Sequence, residues 1–192
     1  SIRILRKKHS YNLSTCVTLI STCDLYALTL GVGFFIPNNG KGITILNGTS
    51  MSNFIHPITM EAAYEVASNL RPEDYTEVVD GHGMDPLIDI PLSCTRGDNV
   101  FFTVPDGRIA GLAGVQDLGQ VWMLTTPAIH DFPITFAREA KRWIDSRTEP
   151  RLWNIVYAEN TVHIKLLKFL GFNLGGEFPY GPNNLHFIEF QK

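Results

Sequence analysis

Residue types capable of chemistry are scattered through this chain, and most have a simpler use. Glu73 and Asp74 are adjacent carboxylates that could share acid–base work. They directly follow Pro72, however, and read as the acidic first turn of a helix. His82 and Asp85 could be drawn as a metal pair, but Gly81-His82-Gly83 reads first as a turn, and no metal site is expected. Ser93 and Cys94 have no nucleophile-elbow context and read as structural residues. Gly31-Val32-Gly33 lacks the third glycine and the following helix of a dinucleotide motif. The cysteines, Cys16, Cys23 and Cys94, are odd in number and have no metal-ligand spacing, so neither a disulfide framework nor a zinc site is expected.

The whole chain sets further bounds. Its 192 residues suit one domain, or one domain with an extension. With 44% hydrophobic and 18% charged residues it can bury a core. The net charge of −3 supplies no global field toward nucleic acid, and no nucleic-acid partner is expected. Residues 1–50 hold Arg3, Arg6, Lys7, Lys8 and Lys41 against Asp24, a net of +4, so the rest carries −7. Asp24, Gly31 and Gly33 interrupt the apolar runs of this basic segment, so neither a membrane span nor a secretory leader is expected. The first methionine is Met51, and amphipathic patterning begins just after it. Two readings of residues 1–50 stand: an extension translated from upstream of the natural start, which the composition favours, or a basic arm with strand-like pieces at 28–36 and 42–46. A domain of residues 51–192 is expected either way.

The pattern along that domain gives its elements. A short strand at 54–58 precedes a helix capped by Thr59, whose Ala62, Ala63, Val66, Ala67 and Leu70 share one face. A second helix starts at Pro72 and stops near Gly81, and 85–96 reads as irregular or short helical structure. Apolar runs at 99–104 and 108–115 flank Asp106-Gly107, a hairpin turn. A third strand of this meander follows at 120–126. Asp131, read as a cap, and Pro133 open a helix with Phe136, Ala137, Ala140, Trp143 and Ile144 on one face. A central strand at 152–158, a helix at 161–170 ended by Gly171 and a last strand at 185–190 complete the order. An α/β fold results, with a mixed, mostly antiparallel sheet flanked by helices.

This order resembles the GNAT acetyltransferase fold. Asn160, His163, Leu167 and Gly171-Phe172 fall at the spacing of the family's fifth-strand and fourth-helix motif. More narrowly, Leu152-Trp153-Asn154, Asn160-Thr161, His163-Ile164, Leu167-Lys168 and Gly171 look like the small GNAT-like internal virion proteins of short-tailed bacteriophages. Trp122-Met123-Leu124-Thr125-Thr126 is similar to the fourth strand of those proteins. The resemblance covers 51–192 and implies a virion or assembly accessory whose acetyltransferase site is eroded. Its partners would be other phage virion or assembly proteins, and its location the virion or the infected host cytoplasm. The alternative is an active N-acetyltransferase using acetyl-CoA on a protein or small-molecule amine.

By the same resemblance, Met123, Leu124 and Thr125 occupy the pantetheine-pairing positions, and Thr126–Phe132 forms the phosphate loop. Thr126, His130 and Asn160 complete the candidate cofactor contacts. The loop departs from the family pattern: it has no glycine, Pro127 has no N–H, and Asp131 puts negative charge where phosphate would lie. Leu167 replaces the family's acid tyrosine, and the fourth strand offers Gln120, with Asp117 before it, but no glutamate. His163 is the remaining titratable candidate for catalysis, although a histidine on a helix facing a sheet is commonly structural. Tyr157 and Tyr180 could line the cleft or simply pack. Acetyl-CoA is the implied cofactor if the protein is active, and none otherwise.

Overall fold

The computed structural model describes residues 53–192. The expectations for residues 1–50, including the glycine pair at 31 and 33, Cys16 and Cys23, lie outside the described residues, as does a boundary at Met51. Strand β1 (Ile55–Pro57) leads into α1 (Met60–Ser68), α2 (Pro72–Thr76) with a wider turn over Glu77–Gly81, and α3 (Pro86–Ser93). Strands β2 (Asp98–Thr103), β3 (Ile109–Gln116) and β4 (Gln120–Thr125) form the meander. Then come α4 (Pro133–Asp145), β5 (Trp153–Tyr157), α5 (Thr161–Leu170), β6 (Asn173–Tyr180) and β7 (Leu185–Gln191).

All seven strands join one sheet in the order β1-β2-β3-β4-β5-β7-β6. Every pairing is antiparallel except β4 with β5. The α/β architecture, the mostly antiparallel sheet and the flanking helices are those expected. Alternation along β3 and β4 assigns the two faces. Ala113, Val115 and Val121 pack with Phe136, Ala140 and Trp143 of α4 and Leu170 of α5. Leu112, Trp122 and Leu124 pack with Ala62, Ala63 and Val66 of α1 and Ile90 of α3. The helices α1 and α3 therefore cover one face of the sheet, and α4 and α5 the other.

Local chemistry sets the element ends. The Thr59 hydroxyl accepts the Ala62 N–H at 3.2 Å, as its cap position requires. Gly107 turns the β2–β3 hairpin at φ 87°, and Gly171 ends α5 at φ 86°, a region that other residues enter only with strain. Two expectations need correction, and one open reading is decided. Asp131 does not cap α4: Phe132 holds the cap position without a side-chain bond, and the Asp131 carboxylate instead meets Arg108 at 2.7 Å. Of the two readings for 85–96, the short helix holds at 86–93, because the Asp85 carboxylate accepts the Leu87 N–H at 2.9 Å and Pro86 lies in the first turn. An additional strand, β6, pairs with β7 at the sheet edge, where Pro179 and two glycines are tolerated.

Candidate functional site

Strands β4 and β5 make a single ladder pair, Gln120 with Trp153, and then splay apart. Asn154 spans the first gap: its amide donates to the Val121 carbonyl at 2.9 Å, and its Oδ1 accepts the Ile155 N–H at 2.9 Å. Thr126 N–H bonds to the Ala110 carbonyl, so backbone alternation turns Thr126 and Leu124 toward β3 and turns Met123 and Thr125 toward the splay. Of the three positions expected to pair with pantetheine, Met123 and Thr125 thus present backbone groups to the opening and Leu124 does not.

The start of α2 closes the wide end of the splay. Pro72 at the first helical position and the acids behind it build this short helix, which projects Asp74 and then Glu77 between the strands. Asp74 Oδ2 accepts the Thr125 N–H at 3.1 Å and the Thr125 hydroxyl at 2.6 Å. The Thr125 carbonyl accepts the Arg71 N–H at 3.0 Å. On the opposite strand, Glu77 Oε2 accepts the Tyr157 N–H at 3.3 Å. Two carboxylates on one helical segment therefore satisfy backbone donors that a β4–β5 ladder would otherwise pair.

Arg71, Asn160 and His163 complete the cluster. The Arg71 guanidinium donates to both Asp74 oxygens at 3.0 and 3.1 Å, to the Thr125 hydroxyl at 2.7 Å and to Asn160 Oδ1 at 3.1 Å. Asn160 Nδ2 donates to Asp74 Oδ1 at 2.8 Å and to Glu77 Oε2 at 3.3 Å, while Oδ1 also accepts the His163 N–H at 3.3 Å, capping α5. His163 Nδ1 lies 3.4 Å from Asp74 Oδ1, and Nε2 lies 3.3 Å from the Thr125 hydroxyl. Arg71, Asp74, Thr125 and Asn160 are fully buried, and His163 nearly so. One polar atom, Arg71 Nη1, is buried without a hydrogen-bond partner; its nearest carboxylate oxygen, on Glu73, is 3.7 Å away.

Burial governs the charges. It pushes the Glu77 carboxyl up to about 8, helped by the negative Asp74 beside it, so Glu77 holds its proton at neutral pH. Burial would also raise Asp74, but His163, Arg71 and the bonds from Thr125 and Arg71 outweigh it and hold Asp74 below the ordinary carboxylate value. Burial lowers His163, so its imidazole is neutral at pH 7 although Asp74 pulls the other way. Thr125, His163 and Asp74 have the residue types of a nucleophile–base–acid relay. The bonding differs from such a relay: the Thr125 hydroxyl donates to Asp74 and accepts from Arg71, and no part of Thr125 is exposed.

The loop 126–132, expected to meet phosphate, is also internally bonded. The Thr126 hydroxyl donates to the Ile109 carbonyl at 2.8 Å and caps the turn 127–130 by accepting the Ala128 N–H. His130 is exposed beside Asp131. A CoA pyrophosphate would meet Pro133 without an N–H, the Asp131 carboxylate and a Thr126 hydroxyl already engaged, so these residues do not fit that group. Among the other candidates, Asp85 caps α3, Cys94 is a buried thiol raised to about 11 by burial, and His82 is lowered to about 4 by burial. The His82 ring packs on Tyr180 and Phe187, and Tyr157 also packs on Phe187. Asp74, Glu77 and His163 do bring potential metal-ligand atoms within 4.8 Å of one another. Arg71 already neutralises Asp74 there, which disfavours a further cation. Among the described residues no helix is long and apolar enough to cross a membrane.

No family model matches the sequence, and no curated protein matches it. Solved structures do match the fold. A GNAT superfamily phosphinothricin acetyltransferase of Sinorhizobium meliloti, in complex with acetyl-CoA, is 12% identical with a TM-score of 0.55, over 72% of this chain and 86% of that one. The ribosomal-protein-S5-alanine acetyltransferase of Vibrio fischeri is 15% identical with a TM-score of 0.53, over 75% and 94%. The spermidine N-acetyltransferase of Vibrio cholerae, in complex with CoA and spermine, is 9% identical with a TM-score of 0.52, over 72% and 93%. At such identities the likeness establishes a GNAT fold, and fold alone does not fix function.

Proposed function

We propose that this chain uses the GNAT fold as a binding scaffold and does not transfer acetyl groups. The observation that carries this reading is the closure of the splay at Thr125, whose N–H, carbonyl and hydroxyl are all engaged by Asp74 and Arg71. A pantetheine arm pairs with the fourth strand as another strand would, and here it would have to displace a buried ion pair first. The glycine-free loop at 126–132 supports the same reading. Together with the motif at 152–171, it favours an accessory role in a phage virion or its assembly, with other proteins of the particle as partners.

The second reading is an active acyl-CoA N-acyltransferase. It draws support from the Met123 backbone facing the splay and from Glu77, a carboxyl whose pKa near 8 suits proton transfer at neutral pH. Incubation of the full chain with acetyl-CoA and a panel of polyamines, amino-terminal peptides and lysine peptides, followed by free-thiol release, tests the choice. Thiol release at the uncatalysed rate is expected. Protein-dependent release together with an acetylated amine would overturn the scaffold reading.

A further inference from the structure

The two helical layers have opposite charge. The layer formed by α1 and α3 presents Glu61, Glu65, Asp85 and Asp89, with Arg96 following α3. It also exposes Met60 and Tyr64 on α1 and Leu87 and Ile88 on α3, each between 39% and 64% exposed. The layer of α4 and α5, across the sheet, carries Arg138, Lys141, Arg142, Lys165 and Lys168 against Glu139 and Asp145. Arg138, Lys141, Arg142 and Asp145 recur at helical spacing along one side of α4, where with Ser146 and Phe169 they line an open groove of about 460 Å³.

Pairing within the second layer leaves an excess of positive charge. Glu139 is matched by Arg142 at 2.7 Å, and Asp145 by Lys141 at 2.8 Å and by Lys192 at 3.3 Å. Arg138, Lys165 and Lys168 make no ion pair among the described residues. Phe169, at 52% exposure, adds an apolar contact beside those cations. A region whose net charge is −7 therefore concentrates its cations on one face, opposite an acidic face that also carries exposed aromatic and aliphatic groups.

We infer that the acidic face of α1 and α3 in one copy of this chain docks on the basic α4–α5 groove of a second copy. Charge complementarity orients the contact, and Tyr64, Leu87 and Ile88 meeting Phe169 and the arginine stems would supply its apolar part. The two faces lie on opposite sides of the sheet, so the contact is heterologous: each copy keeps one face free, and association continues into a chain or closes into a ring. Neither face uses the splay or its buried cluster, so the inference stands apart from the question of acetyl transfer.

Sedimentation velocity of the full chain, over a range of concentration and salt, tests it. At low ionic strength the mass should grow past a dimer with concentration, and roughly 0.5 M salt should return it toward monomer, because screening then acts within a few ångströms. Two variants make the test specific: Arg138→Gln with Lys141→Gln, and Glu61→Gln with Glu65→Gln. Each alone should associate at least tenfold more weakly than the parent. Each keeps one native face, so a one-to-one mixture should form dimers and stop there. A monomer at every concentration in low salt would overturn the inference. So would self-association unchanged in both variants, or a mixture no more associated than its components.

Discussion

Asp74 Oδ2 accepts both the backbone N–H and the hydroxyl of Thr125, at 3.1 and 2.6 Å, across 51 residues of sequence. This contact joins a helix start to the edge of β4 where β4 and β5 splay apart. Arg71 neutralises the same carboxylate from within the protein, so the plug is a hydrogen-bonded ion pair and not an unpaired buried charge. Stability and closure of the splay therefore depend on the same side chains.

Arg71→Ala would leave Asp74 buried beside Thr125 without its cation. Removing one member of a buried pair typically costs about 3–5 kcal/mol, and a loss in that range is expected by urea unfolding at pH 7. A loss below about 1 kcal/mol would show that water enters the cluster freely.

Asn160→Ala should cost more than a lost helix cap. Capping alone accounts for about 0.5–2 kcal/mol, but Asn160 also donates to Asp74 and Glu77 and accepts from Arg71. Each buried group left unsatisfied adds roughly 1–3 kcal/mol, so a total above about 2 kcal/mol is expected from the denaturant midpoint. A total within the capping range would mean that the cluster rearranges around the gap.

Six of the seven strands, the Thr59 cap and the Gly171 helix end were legible in the sequence, because those follow from local patterns such as Thr59 before an apolar stripe and Asp106-Gly107 between two runs. The same reading reached Asn160 as a cap and His163 as a helix residue facing inward. It left α3 open between irregular and short helical structure because of its two prolines, and it did not reach β6, where glycines and Pro179 on an exposed edge hide the alternation. Nor did it reach Arg71 and Glu77. Arg71 looked like a residue flanking a helix start, and Asp74 like a dipole charge; their partners Thr125 and Asn160 lie 54 and 86 residues away. A charged pair at the first turn of a five-residue helix was the available hint, since so short a helix needs tertiary bonds to persist.

Glu77 should make stability fall with rising pH. Its folded pKa of about 8 lies above the ordinary 4.5, so between those values the folded protein holds a proton that the unfolded chain releases. The contribution is complete below about 4.5 and lost as pH rises through about 8. Glu77→Gln keeps a carbonyl acceptor for the Tyr157 N–H and should flatten this dependence, raising stability relative to the parent at pH 9. Parallel curves for parent and variant from pH 5 to 9 would contradict the assignment.

His163 should act in the opposite direction. Burial lowers its pKa below 6.5, so its contribution is complete above that value and lost as pH falls through the folded one. His163→Gln should lower the melting temperature at pH 7 and weaken the loss of stability between about pH 6.5 and the folded pKa. A variant as stable as the parent that had lost an acetyl-transfer activity of the parent would instead identify His163 as catalytic.

Calorimetric titration of acetyl-CoA into the full chain tests closure of the splay most directly. With Thr125 engaged by Asp74 and Arg71, no saturable binding tighter than about 0.1 mM is expected, a limit of about 5.5 kcal/mol. One-to-one binding below micromolar, worth more than about 8 kcal/mol, and weakened by a bulky residue at Thr125, would contradict it.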